Sequence, residues 1–472
     1  MPHPSATLAA CAIALALVAA CSTRPVANAT QPYGSDPQLV APQRARLVPT
    51  VNIAPARGWP EGGHPQPAAG LAVAPFACGL AHPRWLHVLP NGDVLVAETD
   101  APVRTEDNQG LRGWIMKRVM KRAGSGTPSA DRIRLLRDAD RDGVAEFQPV
   151  FIAGLHSPFG MALVADALYV ANTDALLRFA YREGATSIET AATRVAVLPG
   201  GDLNHHWTKS LVARPDGRRL YVGVGSNSNI AENGIEQERD RAAILEIDPA
   251  DGATRVFASG LRNPVGMAWE PHSGALWVAV NERDELGDDL VPDYMTSVRE
   301  GGFYGWPWSY WGNHVDARVQ PQRADLVARA IAPDYALGAH TASLGLAFAH
   351  GDALPARFRA GAFVGQHGSW NRRVPSGYKV VFVPFIAGKP AGPPEDVLGG
   401  FLDGDGDAYG RPVGVEIARD GALLVADDVG GCVWRVYASA AEQRTGEAQA
   451  AALGADALRR AQRPQSNEST NR

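Results

Sequence analysis

Short apolar strands separated by turns recur through the central part of the chain. Each copy has a Gly-Leu turn, a proline, a short apolar strand, a Gly or Asp turn, and then a strand of the form Leu-x-Val-Ala, looser in some copies. Apolar runs of this length between turn residues are typical of β-strands. Six copies are present, and the valine of their second strand is Val96, Val170, Val222, Val278, Val364 and Val425.

The distance between copies predicts the fold. The shortest step, Val170 to Val222, is 52 residues and the longest, Val278 to Val364, is 86 residues. Repeated units of this size that each hold several short antiparallel strands match the blades of a propeller. We therefore predict an all-β fold, a six-bladed β-propeller of four-stranded antiparallel blades with loop insertions, over residues 71–440. The longer steps are expected to hold insertions such as the basic segment 117–122 and the aromatic stretch 303–311.

Residues 1–21 have the character of an export signal. The apolar run Leu8–Ala20 is too short to span a bilayer and is followed by Cys21. It resembles a bacterial lipoprotein signal peptide with a lipobox, in which Cys21 becomes the lipidated first residue of the mature chain. Plain secretion with cleavage near the same place is the alternative. Both predict an extracytoplasmic protein, and lipidation would anchor it to a bacterial membrane in the periplasm.

The segments that flank the predicted propeller have a different composition. Residues 22–70 are rich in Pro, Ala and Gly without sustained periodicity, which is typical of a tether. Residues 441–472 are first rich in Ala, Arg and Glu and then polar. We expect this tail to be partly helical or disordered.

Composition narrows the range of partners. The 472 residues are 45% hydrophobic and 20% charged, which permits a large core and excludes wholesale disorder. Lys and Arg number 45 against 50 Asp and Glu, for a formal net charge of −5. Such a chain has no basic field for wrapping nucleic acid. We expect no nucleic-acid partner, and membrane contact only through the N-terminal lipid.

Two cysteines remain after Cys11 and Cys21 are assigned to the signal peptide. Cys78 and Cys432 lie near the two ends of the repeat region. An even pair in an oxidising compartment permits one disulfide, and the alternative is two small buried apolar side chains. A Cys-x-x-Cys-His motif is absent from the sequence, so no c-type haem is expected on this chain.

Equivalent positions of the copies are expected to meet in space. The innermost strand of every propeller blade starts at the same mouth of the central channel, so residues far apart in sequence converge there. We align Gly266 with Gly160, Ser210, Gly345 and Gly414. This alignment places Arg262-Asn263 opposite His156-Ser157, His206-Trp207, Thr341-Ala342 and Gly410-Arg411. Arginines, histidines, an Asn and a Thr around one mouth predict a polar pocket for an anionic ligand with a base beside it.

Several motifs together resemble those of the pyrroloquinoline quinone (PQQ) dependent soluble aldose dehydrogenases, and most closely the L-sorbosone dehydrogenase branch. The resemblance covers most of the span from Cys78 to Tyr437. The motifs are Gly260-Leu261-Arg262-Asn263-Pro264, His206-Trp207-Thr208-Lys209-Ser210-Leu211-Val212, Gly301-Gly302-Phe303-Tyr304-Gly305-Trp306-Pro307 and Arg411.

The resemblance implies the activity and the cofactors. It implies a quinoprotein oxidoreductase that oxidises an aldose, a sugar aldehyde or a related polyol, with PQQ and Ca²⁺ as cofactors. Hydride would pass from the sugar carbon to the quinone. The electrons would then go to an external acceptor, such as a cytochrome c or the quinone pool, because the chain carries no haem motif.

The resemblance also implies roles for individual residues. His206 would be the catalytic base, and the ordinary pKa of an imidazole, near 6.5, suits that task. Arg262 would pair with the quinone oxygens and stabilise developing charge, so it counts as both catalytic and cofactor-binding. The other cofactor-binding residues would be Asn263, Thr341 and Arg411.

The segment 281–289 lies where the family has a Glu-x-Gly-Pro-x-x-Asp-Asp sequence whose Gly and Pro carbonyls hold calcium. By that register Asp284 and Glu285 take the two positions. We predict them as the metal ligands, through their backbone carbonyls or through their side chains, since Ca²⁺ accepts oxygen ligands of both kinds.

Two positions depart from the family pattern. Tyr409 stands where the glucose-oxidising relatives commonly have an additional Arg. The family's cofactor-binding Lys on the fifth blade has no match in residues 364–368. His367 and Arg372 are the candidates to replace it.

Two Asp-rich loops, residues 138–143 and 403–407, resemble calcium loops. Neither has the Glu that an EF-hand requires at its twelfth position, where Pro149 and Gly414 stand. We expect solvated turns at both places, with a second calcium site as the alternative.

Two other functions remain open at this stage. Six-bladed propellers include calcium-dependent lactonases, which are hydrolases, and non-catalytic binding proteins, and the fold alone does not separate them. The Arg-Asn-Pro motif in register with His206 favours the quinone enzyme, because hydrolysis has no need of an arginine clamp for a cofactor.

Overall fold

The computed structural model describes residues 32–43, 51–102, 121–124 and 127–444. The predicted signal peptide with Cys21, most of the basic segment 117–122 and the tail beyond residue 444 lie outside the described residues. None of the helices in the described ranges is long and apolar enough to cross a membrane.

Nearly all regular structure in the described residues is β. The strands in chain order are β1 (Tyr33–Gly34), β2 (Gln66–Pro67), β3 (Leu71–Cys78), β4 (Pro83–Val88), β5 (Val94–Glu98), β6 (Arg132–Leu136), β7 (Val150–Ile152), β8 (Met161–Val164), β9 (Ala167–Ala171), β10 (Ala175–Ala180), β11 (Thr193–Val197), β12 (Lys209–Ala213), β13 (Leu220–Val224), β14 (Ala243–Ile247), β15 (Thr254–Ser259), β16 (Pro264–Trp269), β17 (Leu276–Val280), β18 (Pro292–Ser297), β19 (Ser309–Tyr310), β20 (His314–Val315), β21 (Tyr335–Ala339), β22 (Ser343–Phe348), β23 (Gly361–Gln366), β24 (Lys379–Ile386), β25 (Lys389–Pro390), β26 (Glu395–Gly399), β27 (Pro412–Ile417), β28 (Leu423–Asp427) and β29 (Cys432–Ala438). The helical elements that lie wholly within the described residues include α1 (Ala324–Val327) and two 3-10 turns, Ile235–Glu238 and Ala356–Phe358.

These strands form six antiparallel blades. The first three blades are β4–β7, β8–β11 and β12–β15. The fourth is β16-β17-β18-β21 with β1 added at its edge, and the fifth is β22-β23-β24-β26 with β2 added at its edge. The sixth blade is β27-β28-β29-β3. The prediction of a six-bladed β-propeller is confirmed, and the hairpin β19-β20 lies in the insertion of the fourth blade.

The sixth blade closes the ring with strands from both ends of the domain. β3 pairs with β29, and the register places Cys78 opposite Cys432. The two cysteines form a disulfide. This covalent link joins the first and last strands of the propeller, so the ring does not depend on hydrogen bonds alone for its closure.

The core lies between blades. The six marker valines sit on the second strands β5, β9, β13, β17, β23 and β28, and all are fully buried. Each buried valine contributes roughly 1.5–3 kcal/mol to folding. This is why the Leu-x-Val-Ala pattern is visible in the sequence.

Glycines let the innermost strands approach each other. A Cβ on Gly266 of β16 would lie 2.5 Å from Leu344 O on β22, and one on Gly345 of β22 would lie 2.3 Å from Val413 O on β27. Only glycine fits such a backbone approach. The innermost strands β4, β8, β12, β16, β22 and β27 thus surround one channel.

The described part of the predicted tether, residues 32–43 and 51–70, lies against the propeller. β1 pairs with β21 and β2 with β26. Ala54 is buried, and its carbonyl accepts a hydrogen bond from Arg411. This segment is therefore part of the propeller's hydrogen-bond network, because its backbone pairs with sheet edges that would otherwise be open.

Candidate active site at the channel mouth

The mouth is built where each innermost strand begins and its neighbouring strand ends. In the third blade β12 pairs with β13 so that Lys209 faces Val224, and in the fourth Pro264 faces Val280. The residues just before the first strand therefore face those just after the second. This geometry brings the predicted site residues to one end of the channel.

His206 is held by the end of β13. Its Nδ1 lies 2.8 Å from the Ser226 carbonyl oxygen and 3.1 Å from Ser226 Oγ. A carbonyl can only accept, so Nδ1 carries the proton and Nε2 keeps its lone pair. Burial, the charge of Arg262 and the nearby His205 lower the pKa of His206 well below its usual value, outweighing the Ser226 bond. The imidazole is neutral near pH 7 and can accept a proton at Nε2.

Arg262 lies next to this histidine. Its carbonyl accepts the Ser226 N–H at 2.8 Å, which joins the two blades. The guanidinium is 2% exposed and donates to Glu282 O at 2.8 Å and to Asn229 Oδ1 at 3.1 Å. Its Nη2 is 3.6 Å from Asp284 Oδ2. A buried, fixed cation of this kind can stabilise negative charge that develops beside His206.

Asn263 and His206 both lie close to Gly225. A Cβ on Gly225 would lie 2.3 Å from Asn263 Oδ1 and 2.4 Å from His206 Cβ. Asn263 is buried, and Oδ1 has no hydrogen-bond partner among the described residues. An unpaired buried polar atom costs about 1–3 kcal/mol, so this amide is suited to a ligand that is bound in function.

Thr341 is buried at the start of the fifth blade. Its Oγ1 donates to Asp293 Oδ2 at 2.9 Å and lies 2.8 Å from Ser343 Oγ. Asp293 also accepts the Glu282 N–H, so it ties the fourth blade to the fifth. The Thr341 hydroxyl proton is thus engaged by the protein, and its predicted contact with the cofactor would use the oxygen as acceptor.

Arg411 belongs to the sixth blade and is buried. Its Nη2 donates to Ala54 O at 2.7 Å, and its guanidinium carbon is 5.3 Å from the centre of the Tyr378 ring. Nε is buried without an acceptor among the described residues. This donor fits the predicted role of Arg411 in binding an anionic group.

The sequence analysis missed Arg84 and His82 of the first blade, which join Asp428 of the sixth blade and His367 of the fifth in one cluster. Asp428 Oδ2 accepts from Arg84 Nη1 and from His367 Nε2, both at 2.8 Å, and His82 Nε2 is 3.6 Å away. Burial alone would raise the pKa of Asp428, but His367, His82 and Arg84 outweigh it and hold the pKa well below its usual range. The carboxylate is therefore charged and fixes these three side chains.

Arg84 crosses the mouth. Its guanidinium carbon lies 5.8 Å from the centre of the ring of Trp207, the residue after His206, although the two belong to non-adjacent blades. Its Nε is buried without an acceptor among the described residues. The sequence does contain a signal for this blade. Pro83 begins the innermost strand of the first blade as Pro264 and Pro412 begin those of the fourth and sixth, so aligning these prolines would have placed Arg84 near the mouth.

The two candidates for the missing lysine have different positions. His367 lies in the Asp428 cluster near Arg411, whose charge contributes to lowering its pKa after burial. Arg372 instead pairs with Asp289, with Nη2 2.6 Å from Oδ1, and Nε donates to Asp288 O. Of the two, His367 is at the mouth cluster.

The predicted calcium ligands are already occupied by cations. The Asp284 carbonyl accepts Nε and Nη2 of Arg283 at 3.0 and 2.7 Å. The Asp284 carboxylate is 3.2 Å from His340 Nδ1 and near Arg262. Glu285 is exposed, with its carboxylate 3.6 Å from Arg318 Nη1. The Asp284 oxygens do not fit a calcium ion, because Arg283, Arg262 and His340 already contact them.

The two Asp-rich loops differ. Asp403 accepts the N–H groups of Asp405 and Asp407 and pairs with Arg57, as expected of a turn. The other loop gathers four carboxylates whose oxygens lie within 4.8 Å of one another: Asp138, Asp140, Asp142 and Glu146. Three of the four residues are exposed.

Two cavities accompany the channel. One of about 430 Å³ opens beside His82 and Asp428, next to the mouth. Another of about 290 Å³ is lined by all six innermost strands and lies beside His87 and Glu416, away from His206. Of the two, the cavity next to the mouth adjoins the charged cluster.

Known proteins are similar to parts of this chain in sequence. Residues 163–369 match the family model described as Glucose / Sorbosone dehydrogenase, and residues 317–439 match one described as TrAA12-like. An uncharacterized protein of Borreliella burgdorferi is 31% identical over 244 residues, 51% of this chain and 63% of that protein. A PQQ-dependent pyranose dehydrogenase of Coprinopsis cinerea is 26% identical over 378 residues, 68% of this chain and 46% of that protein. The chain thus spans less than two thirds of the length of these relatives.

Solved structures show the same fold. The holo form of the PQQ domain of the Coprinopsis cinerea pyranose dehydrogenase has a TM-score of 0.63 at 23% identity, covering 79% of this chain and 97% of that one. The PQQ-bound aldose sugar dehydrogenase of Streptomyces coelicolor has a TM-score of 0.51 at 19% identity, covering 79% of this chain and 100% of that one. The match over residues 163–369 thus makes this part of the chain similar to glucose and sorbosone dehydrogenases, and the solved structures share its fold.

Proposed function

We propose that this protein is a PQQ-dependent dehydrogenase that oxidises an aldose, a sugar aldehyde such as L-sorbosone, or a related polyol. The observation that carries the proposal is the neutral imidazole of His206 beside an unpaired amide, Asn263, at a mouth that also holds buried guanidinium groups. The relatives named as PQQ-dependent pyranose dehydrogenase and PQQ-bound aldose sugar dehydrogenase support the cofactor.

The donor set fits PQQ, which carries three carboxylates and a quinone. Arg84 and Arg411 each have a buried Nε–H without an acceptor among the described residues. Buried guanidinium donors of this kind bind carboxylates strongly. We assign them to the carboxylates of the cofactor, and Arg262 and Asn263 to its quinone side, beside His206. Bound PQQ would supply a two-electron acceptor for the hydride that leaves the sugar carbon.

The protein's own part in the reaction is proton transfer and orientation. His206 Nε2 accepts the proton of the sugar hydroxyl while the Nδ1 bond to Ser226 keeps the ring in place. Arg262 would stabilise the negative charge that a hydride acceptor gains beside His206, and its bonds to Glu282 and Asn229 hold it there before the reaction. With the proton held at His206 Nε2, and with PQQ as the acceptor of the hydride, the two-electron oxidation of the alcohol would balance.

The test reconstitutes the purified full chain with PQQ and follows reduction of an electron-accepting dye over aldoses, sugar aldehydes and alcohols. Dye reduction that requires both PQQ and a sugar supports the dehydrogenase. Substrate loss without dye reduction, at the same rate without PQQ, would instead identify a hydrolase of the lactonase type. Sugar binding without any turnover would identify a binding protein.

We also propose that the electrons pass to a separate carrier, a cytochrome c or the quinone pool, and that the protein is a periplasmic lipoprotein. The sequence around Cys21 supports the lipid anchor. A Cys21→Ser variant should move from the membrane to the soluble fraction of cells. Equal membrane retention of wild type and variant would contradict the anchor.

A further inference from the structure

The Asp284 carbonyl, which was predicted to bind calcium, accepts hydrogen bonds from an arginine that also forms a buried ion pair. Arg283 is 2% exposed and directs Nε and Nη2 to the Asp284 carbonyl. Its Nη1 pairs with Asp316, which is equally buried. The guanidinium is therefore fixed from both sides, one being the carbonyl that would bind a metal.

The Asp284 side chain contacts a histidine and a second arginine. Its Oδ1 lies 3.2 Å from His340 Nδ1, and its Oδ2 lies 3.6 Å from Arg262 Nη2. The peptide N–H of Asp284 donates to Asn229 Oδ1 at 2.9 Å, so the backbone at this position is also fixed. A divalent ion placed on these oxygens would have to displace Arg283 and would face the permanent charge of Arg262.

We propose that Arg283, held by Asp316, takes the place of a calcium ion in this chain, so that cofactor binding at the mouth requires no divalent cation. The statement about cofactor binding rests on the proposed PQQ function. The contact between the Arg283 guanidinium and the Asp284 carbonyl can be tested without PQQ. A guanidinium is suited to the task because it is always charged and donates two hydrogen bonds in one plane.

The first experiment titrates CaCl₂ into the cofactor-free full chain by calorimetry. The protein carries Asp140→Asn and Asp142→Asn, which removes the exposed carboxylate cluster as a competing site. We expect no binding up to about 1 mM, the weak end of protein calcium sites. One calcium ion bound tighter than about 100 μM, and lost in an added Asp284→Asn substitution, would overturn the proposal.

The second experiment measures the affinity for PQQ by equilibrium dialysis, with calcium present and with a chelator. The two dissociation constants should agree within about twofold. A loss of about tenfold on chelation, or roughly 1.4 kcal/mol, would overturn the proposal. If PQQ binds in neither buffer, the proposed function fails, while the calorimetric result still decides whether calcium binds at Asp284.

A matched pair of variants tests the role of Arg283 directly. Arg283→Met removes the guanidinium from the Asp284 carbonyl and from Asp316, so we expect calcium to raise the melting temperature of this variant. Arg283→Lys keeps the positive charge and should show no such rise. All proteins in this comparison carry Asp140→Asn and Asp142→Asn, and calcium stabilisation of the form with Arg283 or of the Lys variant would contradict the proposal. If the Met variant does not fold, the calcium titration of the protein that keeps Arg283 still tests whether calcium binds at Asp284.

Discussion

Replacing His206 with alanine is expected to remove turnover while PQQ stays bound. The imidazole is the base of the proposed reaction, and its Nδ1 bond to Ser226 leaves Nε2 for the substrate proton. A positioned general base accelerates reactions by about 10²- to 10⁴-fold. The kcat of the variant should fall by that factor, which corresponds to about 2.7–5.4 kcal/mol of activation free energy.

Cofactor affinity should hardly change in this variant. Arg84, Arg262, Asn263 and Arg411, which we assign to PQQ, all remain. The dissociation constant for PQQ should therefore stay within about threefold of the wild-type value, under 1 kcal/mol. Equilibrium dialysis measures it, and dye reduction at saturating PQQ gives kcat and KM separately.

The wild-type pH profile is part of the same prediction. Burial and the charge of Arg262 lower the pKa of His206 well below its usual value, and the neutral imidazole is the reactive form. The value of kcat/KM should therefore stay level from neutral pH down past pH 6.5 and fall as the pH drops through the lowered pKa. A fall in kcat/KM that begins above pH 6.5 and is caused by protonation of His206 would contradict the lowered pKa of this histidine.

His205 offers a matched control. It is exposed, adjacent in sequence, and in edge contact with His206 at 4.8 Å between ring centres. The His205→Ala variant should keep kcat within about threefold of wild type. If His206→Ala retains full kcat, or if His205→Ala loses as much, His206 is not the base.

Three further substitutions, the last with a matched control, test the cofactor site and the fold. Arg84→Met should weaken PQQ binding by about tenfold or more, because it removes a buried donor, and unchanged affinity in dialysis would remove Arg84 from the cofactor site. Cys432→Ser opens the link between the first and last strands and should cost about 2–5 kcal/mol in denaturant unfolding, whereas an equal stability of oxidised wild type and variant would show that the ring closes without it. Gly266→Ala places a Cβ 2.5 Å from Leu344 O and should cost about 1–3 kcal/mol, while Gly404→Ala, with nothing within 4 Å, should stay within about 0.5 kcal/mol. Equal stability of these two alanine variants would contradict the close packing of the innermost strands.

Much of the fold is legible in the sequence. Val96 and its five equivalents are buried between blades, where only an apolar side chain of that size is tolerated. Gly266 and Gly345 mark backbone approaches that exclude a Cβ. These constraints act locally in every blade, so they repeat along the chain and reveal the blade number. The edge strands β1 and β2 are not part of the repeat, and the sequence predicted a tether at their positions.

The site residues that occupy equivalent positions of the repeat could be predicted by aligning its copies. His206, Arg262 and Asn263 occupy equivalent places in neighbouring blades, and the structure brings them together at one mouth. Their roles in catalysis and cofactor binding stay predictions until they are measured.

The sequence alone thus determined the blade repeat and the positions that start each innermost strand. Only the tertiary structure decided which side chains meet across blades. Arg84 reaches Asp428 and Trp207 from another blade. Within the fourth blade, the Arg283 guanidinium on the Asp284 carbonyl is held by Asp316 of the insertion between β18 and β21. Such contacts depend on the directions of long side chains between segments far apart in the chain, and no local pattern encodes them. The same contacts decide whether the predicted oxygens can bind a metal.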